Sequence, residues 1–156
     1  MQLDGGLMEF LARPVMCIIG TANAENRPSI GRGLGVHLPE REGVLEVAIS
    51  AWQWPDTVQN IRETGRLAVT FASPADYVSY QMKGAATLRP ALLDDIERCE
   101  GDIARVRAEL LRLGVSERVT APWLASRQAV IAIVDVAEIY VQTPGRKAGM
   151  AAGAGR

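Results

Sequence analysis

The chain begins with a short amphipathic stretch. Leu7, Phe10 and Leu11 fall at i, i+3 and i+4, and Pro14 ends the helix they predict. The apolar run Val15–Ala22 predicts a buried strand. A polar turn over 23–27 leads to a second strand, opened by Pro28 and continued by SIGRGLGVHL. A period of two sets its glycines 31, 33 and 35 on one face and Ile30, Arg32, Leu34 and Val36 on the other. Glycine weakens a strand, so this row marks the close approach of another body, either a flat ligand or a neighbouring strand. VLEVAIS (44–50) predicts a third strand after a turn at 39–43. Pro55, Asp56 and Gly65 then bracket a short helix with the residues its ends favour. RLAVTFAS predicts a fourth strand. YVSYQMKGAATL predicts a fifth, with Ser79, Gln81 and Lys83 on one face and Tyr80 and Met82 on the other.

A long helix follows. Leu92, Ile96, Cys99, Ile103, Val106, Leu110 and Leu113 repeat by 4-3-4-3-4-3, with acids at the start, Arg112 near the end and Gly114 as the stop. Such a seam needs a partner, either the strands or a second subunit. A shorter helix starts at Ser116 and includes Trp123, and a last strand covers 129–143. The sum is a mainly β chain with α additions. Short strands joined by tight turns suit a barrel or a sandwich, and periodicity alone does not choose.

Length and composition narrow the setting. The 156 residues suit one domain, read as 1–145, with a loose Gly/Ala-rich tail over 146–156. A formal charge of −1 gives no broad field for nucleic acid. No apolar run approaches the roughly 20 residues that cross a bilayer, and the start lacks a signal-peptide pattern. Two cysteines and one histidine make neither a disulfide framework nor a metal site. Cys17 reads as inert core and Cys99 as seam packing. The expected setting is the cytoplasm.

Four strings carry a resemblance: GTANAENRPSIGRGLGV, TVQNIRETGRLAVTF, SYQMKGAA and YVQTPGRKAG. In this order and spacing, from Val15 to Gly149, the chain resembles the pyridoxamine 5′-phosphate oxidase-like family, and among its members the small ones with a helical insertion before the last strand. The resemblance implies a six-stranded split barrel of the FMN-binding type. It implies a homodimer with FMN at the subunit interface and hydride transfer between the flavin and a small organic substrate. A non-catalytic module holding flavin or haem is the alternative on the same fold, and a deazaflavin is the alternative cofactor.

Carried onto this sequence, the resemblance makes Arg32 the phosphate-binding arginine. It makes Ser50 and Ala51 the end of the third strand, whose backbone meets the flavin. Asp56 and Thr57 stand where the oxidase has a basic pair, which leaves Thr57 and the helix N–H groups to assist Arg32. Ser79 stands at a glutamine position facing the partner's flavin, and Gln81 and Lys83 extend that face. Gln142 and Thr143 return toward the cofactor edge. The residues with which the oxidase grips its substrate's phosphate have no match here, so the resemblance does not extend to that substrate. Read by themselves, Lys83 and Gln81 could hold the pyrimidine edge of a reduced flavin or form a solvated face. Trp52 and Trp54 could stack on a ring or pack at a dimer interface. His37 is the one histidine available to a haem iron and otherwise a surface residue.

Overall fold

The computed structural model describes residues 3–152. Asp4 starts the first helix, α1 (Gly5–Leu11), by accepting the Leu7 amide at 2.8 Å, and Leu7, Phe10 and Leu11 form its buried face. Strands β1 (Met16–Ala22), β2 (Pro28–His37) and β3 (Val44–Ser50) follow, then helix α2 (Pro55–Thr64). Gly65 ends α2 at φ 63°, a left-handed conformation that favours glycine. Strands β4 (Arg66–Ala72) and β5 (Ser79–Pro90) lead into helix α3 (Leu93–Arg112). A short helix α4 (Glu117–Thr120), a 3₁₀ turn (Ala121–Trp123) and β6 (Ala129–Val141) complete the order.

All strand pairs are antiparallel, and the sheet closes on itself in the order β1-β2-β3-β6-β5-β4. The choice between barrel and sandwich therefore falls to the barrel. Alternate residues point inward: Ile19, Leu45, Val47, Ile49, Val69, Phe71, Met82 and Val134 are fully or almost fully buried. Phe10 of α1 meets Tyr80 edge-on at 5.1 Å and helps close one end. Val58 and Ile61 of α2 join the same core from the other end, where Asn60 donates to Thr21 at 3.0 Å. Beyond β6 the chain bends back, and the Val141 amide bonds the Met150 carbonyl at 2.9 Å. The last four residues of the expected tail lie outside the described residues.

A second core forms on the outside of the barrel. Cys99, Ile103, Val106 and Leu110 of α3 pack onto Leu34, Ala48 and Ile131 of β2, β3 and β6. The barrel is thus the partner of the seam. The helix, 20 residues or about 30 Å long, overruns that face. Accordingly Leu92, Ile96 and Leu113, at the ends of the expected seam, stay 67%, 37% and 40% exposed.

The three glycines of β2 do not share a face. Gly33 pairs with Ile49 and Gly35 with Ala48, so Leu34 is an extra residue, a β-bulge that shifts the alternation. A Cβ on Gly33 would lie 2.4 Å from the Cys17 sulfur inside the barrel, whereas one on Gly35 would lie 2.3 Å from the Asp102 carboxylate of α3 outside it. Both glycines admit protein neighbours rather than a flat ligand. Burial pushes the Cys17 and Cys99 thiols up to about 12. Neither should be alkylated by iodoacetamide at pH 8 in the folded chain, and both should be in urea. Mass spectrometry reads the adducts, and modification before unfolding would contradict the packing.

Candidate functional site

The outer surface opposite α3 carries two rows of side chains fixed by register. One runs Arg32, Ile18, Thr70, Gln81, Tyr140 across β2, β1, β4, β5 and β6; the next runs Ile30, Gly20, Ala68, Lys83, Glu138. Because Gly20 and Ala68 are small, the second row sinks into a trough. With Ala22, Ala85 and Ala137 they line a cleft of about 610 Å³, bordered by Asn26, Thr64, Arg66, Lys83 and Glu138. Its size and apolar lining suit a flat organic ring. Lys83 lies with its ammonium 4.8 Å from the Tyr140 ring centre, and the Tyr140 hydroxyl donates to Glu138. That bond, and the carboxylate charge behind it, hold the phenol above its ordinary pKa. Gln81 donates to Thr70 at 3.2 Å.

A second cluster lies at the corner where β3 runs into α2. The Ser50 hydroxyl donates to the Arg127 carbonyl at 2.7 Å and accepts the Gln53 amide at 3.2 Å. The Ala51 amide bonds the Gln128 carbonyl at 3.1 Å. Arg32 lies 4.6 Å over the Trp123 ring, and Arg127 lies 4.6 Å over Trp52. Four buried side-chain polar atoms lack a hydrogen-bond partner among the described residues, and two of them fall here: Gln53 Oε1 and Trp54 Nε1. Buried polar groups are rarely left unpaired, so two on neighbouring residues mark a place where a ligand or water would complete the bonding.

The remaining expected residues separate. Thr57, at 1% exposure, turns its hydroxyl toward Gly31, which pairs with inward-facing Ile19. Arg32 projects from the opposite face of the same strand, so one phosphate does not reach both. Asp56 lines a crevice with Glu25, Glu63 and Arg27, a set with more acid than base. Ser79 and Thr143 zip the end of β6 to β5: the Ser79 amide donates to Thr143 Oγ1 at 3.0 Å, and the Gln142 amide to the Ser79 carbonyl at 2.8 Å. His37 is exposed and borders a small crevice with Glu46, Asp95 and Asp102. Among the described residues no cluster of His, Cys, Asp and Glu could hold a metal, and no helix is long and apolar enough to cross a membrane.

Sequence reasoning did not single out Arg127 or the trough floor. Arg127 stands in an irregular segment with no period to flag it. The floor could have been found from the small residues Gly20 and Ala68, once β1 and β4 were known to be neighbours.

No protein-family model matches the sequence, and neither does any curated protein. Solved structures do match in shape. An F420 reductase superposes with a TM-score of 0.60 at 14% identity, over 88% of this chain and 98% of that one. A pyridoxamine 5′-phosphate oxidase-related, FMN-binding protein from Nostoc punctiforme gives 0.53 at 12%, over 89% and 84%. HutZ, a heme storage protein from Vibrio cholerae, gives 0.52 at 11%, over 90% and 95%. With the closed six-stranded ladder, these likenesses show that the chain has the split-barrel fold of the pyridoxamine 5′-phosphate oxidase-related FMN-binding proteins.

Proposed function

We propose that the chain binds a flavin-type cofactor, FMN in the first instance, between two copies of itself and serves a redox step on a small organic substrate. One observation carries this. Arg32 on β2 and the Gln81–Lys83 face of β5 lie three strands apart whichever way the six-stranded ring is followed. At ordinary strand spacing that separation is roughly 14 Å within one copy, and in this reading the β5 face of a second copy supplies the Gln81–Lys83 side of the site. Around Arg32 the apolar side chains of Ile18, Ile30 and Trp52 are 38%, 71% and 51% exposed, as a surface awaiting a partner would be.

When bound, the flavin supplies the hydride chemistry, and the chain supplies position and charge. Arg32 holds the anionic end. The trough receives the flat ring system, with Gly20 and Ala68 as its floor. Lys83 and Gln81 offer a cation and an amide to a ring edge that gains negative charge on reduction.

The test is the absorption spectrum of the purified chain, with mass spectrometry of whatever denaturation releases. FMN is the expected product, and Arg32→Ala is expected to weaken its binding about tenfold or more. A shifted absorption maximum with a heavier, more acidic ligand would identify a deazaflavin, and a Soret band a haem. A colourless chain that also rejects added FMN would sink the flavin reading.

A further inference from the structure

At the β3–α2 corner two guanidinium groups lie on two indole rings, and neither is matched to a carboxylate. Every ion pair among the described residues uses other arginines. Arg32 reaches out from β2 to Trp123, and Arg127 comes from the segment entering β6 to cover Trp52. The same hydrogen bonds hold both stacks in place. Ser50 fixes the Arg127 backbone, and the Gln53 side chain donates to the Pro122 carbonyl beside Trp123. Gly33 pairs with Ile49, and Ala129 with Ser50. The two arginines therefore flank the end of β3 from either side, their backbones roughly 10 Å apart at ordinary strand spacing.

A guanidinium lying on an indole has its plane set while its N–H edges stay open, an arrangement suited to forked bonds with phosphate oxygens. The nearby start of α2 is a poorer anion site. Asp56 stands in its first turn, Glu25 and Glu63 line the same crevice, and the Thr57 hydroxyl faces Gly31. Two unpartnered polar atoms, Gln53 Oε1 and Trp54 Nε1, lie at this corner.

We propose that Arg127 on Trp52 and Arg32 on Trp123 form a two-guanidinium receptor for a phosphomonoester. Taking that phosphate to be the cofactor's rests on the flavin reading above. The insertion between β5 and β6 then carries Trp123 and Arg127 to the corner and supplies the second cation that Asp56 and Thr57 do not.

The full chain is titrated with FMN, with riboflavin, which has the same ring and no phosphate, and with inorganic phosphate, following indole fluorescence. FMN is expected to bind more tightly than riboflavin. Arg127→Gln should weaken FMN about tenfold or more and leave riboflavin unchanged. Arg127→Lys, which keeps the charge and loses the fork, should fall between. Phosphate alone should perturb the indoles saturably, and less so in Arg127→Gln. Arg127 is exposed, and circular dichroism confirms that each variant is folded. Equal affinity for FMN and riboflavin, or an Arg127→Gln chain that binds FMN as the parent does, overturns the receptor and leaves the flavin reading standing. If neither flavin binds while phosphate still perturbs the indoles through Arg127, the receptor stands and the flavin reading falls. Indoles unmoved by both FMN and phosphate in the parent overturn the receptor.

Discussion

Gly84→Ala should destabilise the barrel by about 3 kcal/mol, near the upper end of what overpacking a well-packed interior costs. The added Cβ would lie 2.0 Å from the Asp135 carbonyl oxygen and 3.3 Å from the Val136 Cα. Both are backbone atoms of β6, so no side chain can swing aside. They are also held in place: Lys83 pairs with Glu138 but Gly84 with Val136, leaving Ala137 as a bulge, and the Val136 amide bonds the Gly43 carbonyl at 2.8 Å. For a chain of this size 3 kcal/mol lowers Tm by about 10 °C, read by thermal unfolding. Gly101→Ala is the control. A Cβ there meets nothing within 4 Å, and alanine in a helix is favoured over glycine by up to about 1 kcal/mol. Equal melting temperatures for Gly84→Ala and the parent would mean that the bulge yields, and that the tight contact is not a constraint.

Asp95→Ala should be nearly as damaging. This carboxylate is 5% exposed and meets four donor atoms from three residues at the start of α3: both Nη atoms of Arg89, Nη2 of Arg98, and the Leu92 amide at 2.8 Å. Arg89 also bonds Glu46 of β3 at 3.1 Å, so the cluster ties the helix start to the barrel. Removing one partner of a buried ion pair strands the other, at about 3 kcal/mol where, as here, Glu46 still shares the arginine. Asp95→Asn keeps an acceptor for the Leu92 amide and should lose less. The Arg89 guanidinium holds the Asp95 carboxyl well below the usual carboxylate range. A depressed pKa stabilises the fold above the unfolded value of about 3.9 and loses that effect as pH falls through the folded value. The parent should therefore lose stability below about pH 4 more steeply than Asp95→Asn. Parallel acid-unfolding curves would remove Asp95 as the titrating group.

These two residues show where sequence reading stops. The strand and helix order was legible because each element obeys its own period: inward residues alternate along β3 and β4, and the α3 seam keeps its 4-3 spacing. Parity failed on β2, where the extra residue Leu34 turns Gly35 toward Asp102; a period-two count has no way to register an insertion. Asp95 looked like one more acid at a helix start, because nothing local shows that its partner Arg89, six residues before it, is also held by Glu46 of a strand distant in sequence. Gly84 was a strand residue with nothing to mark the backbone that crosses beside it. At the candidate site, Gln81 and Lys83 share the face that alternation gives them. Thr57 followed the resemblance outward and the helix geometry inward, and the geometry prevails because α2 must bury Val58 and Ile61 to close the barrel.

The closed ladder has a consequence for how such chains drift. Around the full ring the backbone amides and carbonyls of six strands bond one another, whatever side chains they carry. The fold then asks mainly for inward bulk, for small residues at tight crossings and for the outer apolar strip under α3, while the other outward positions are free to vary. Chains that share only 11–14% of their residues with this one can thus have the same ring and differ in what its outer wall carries.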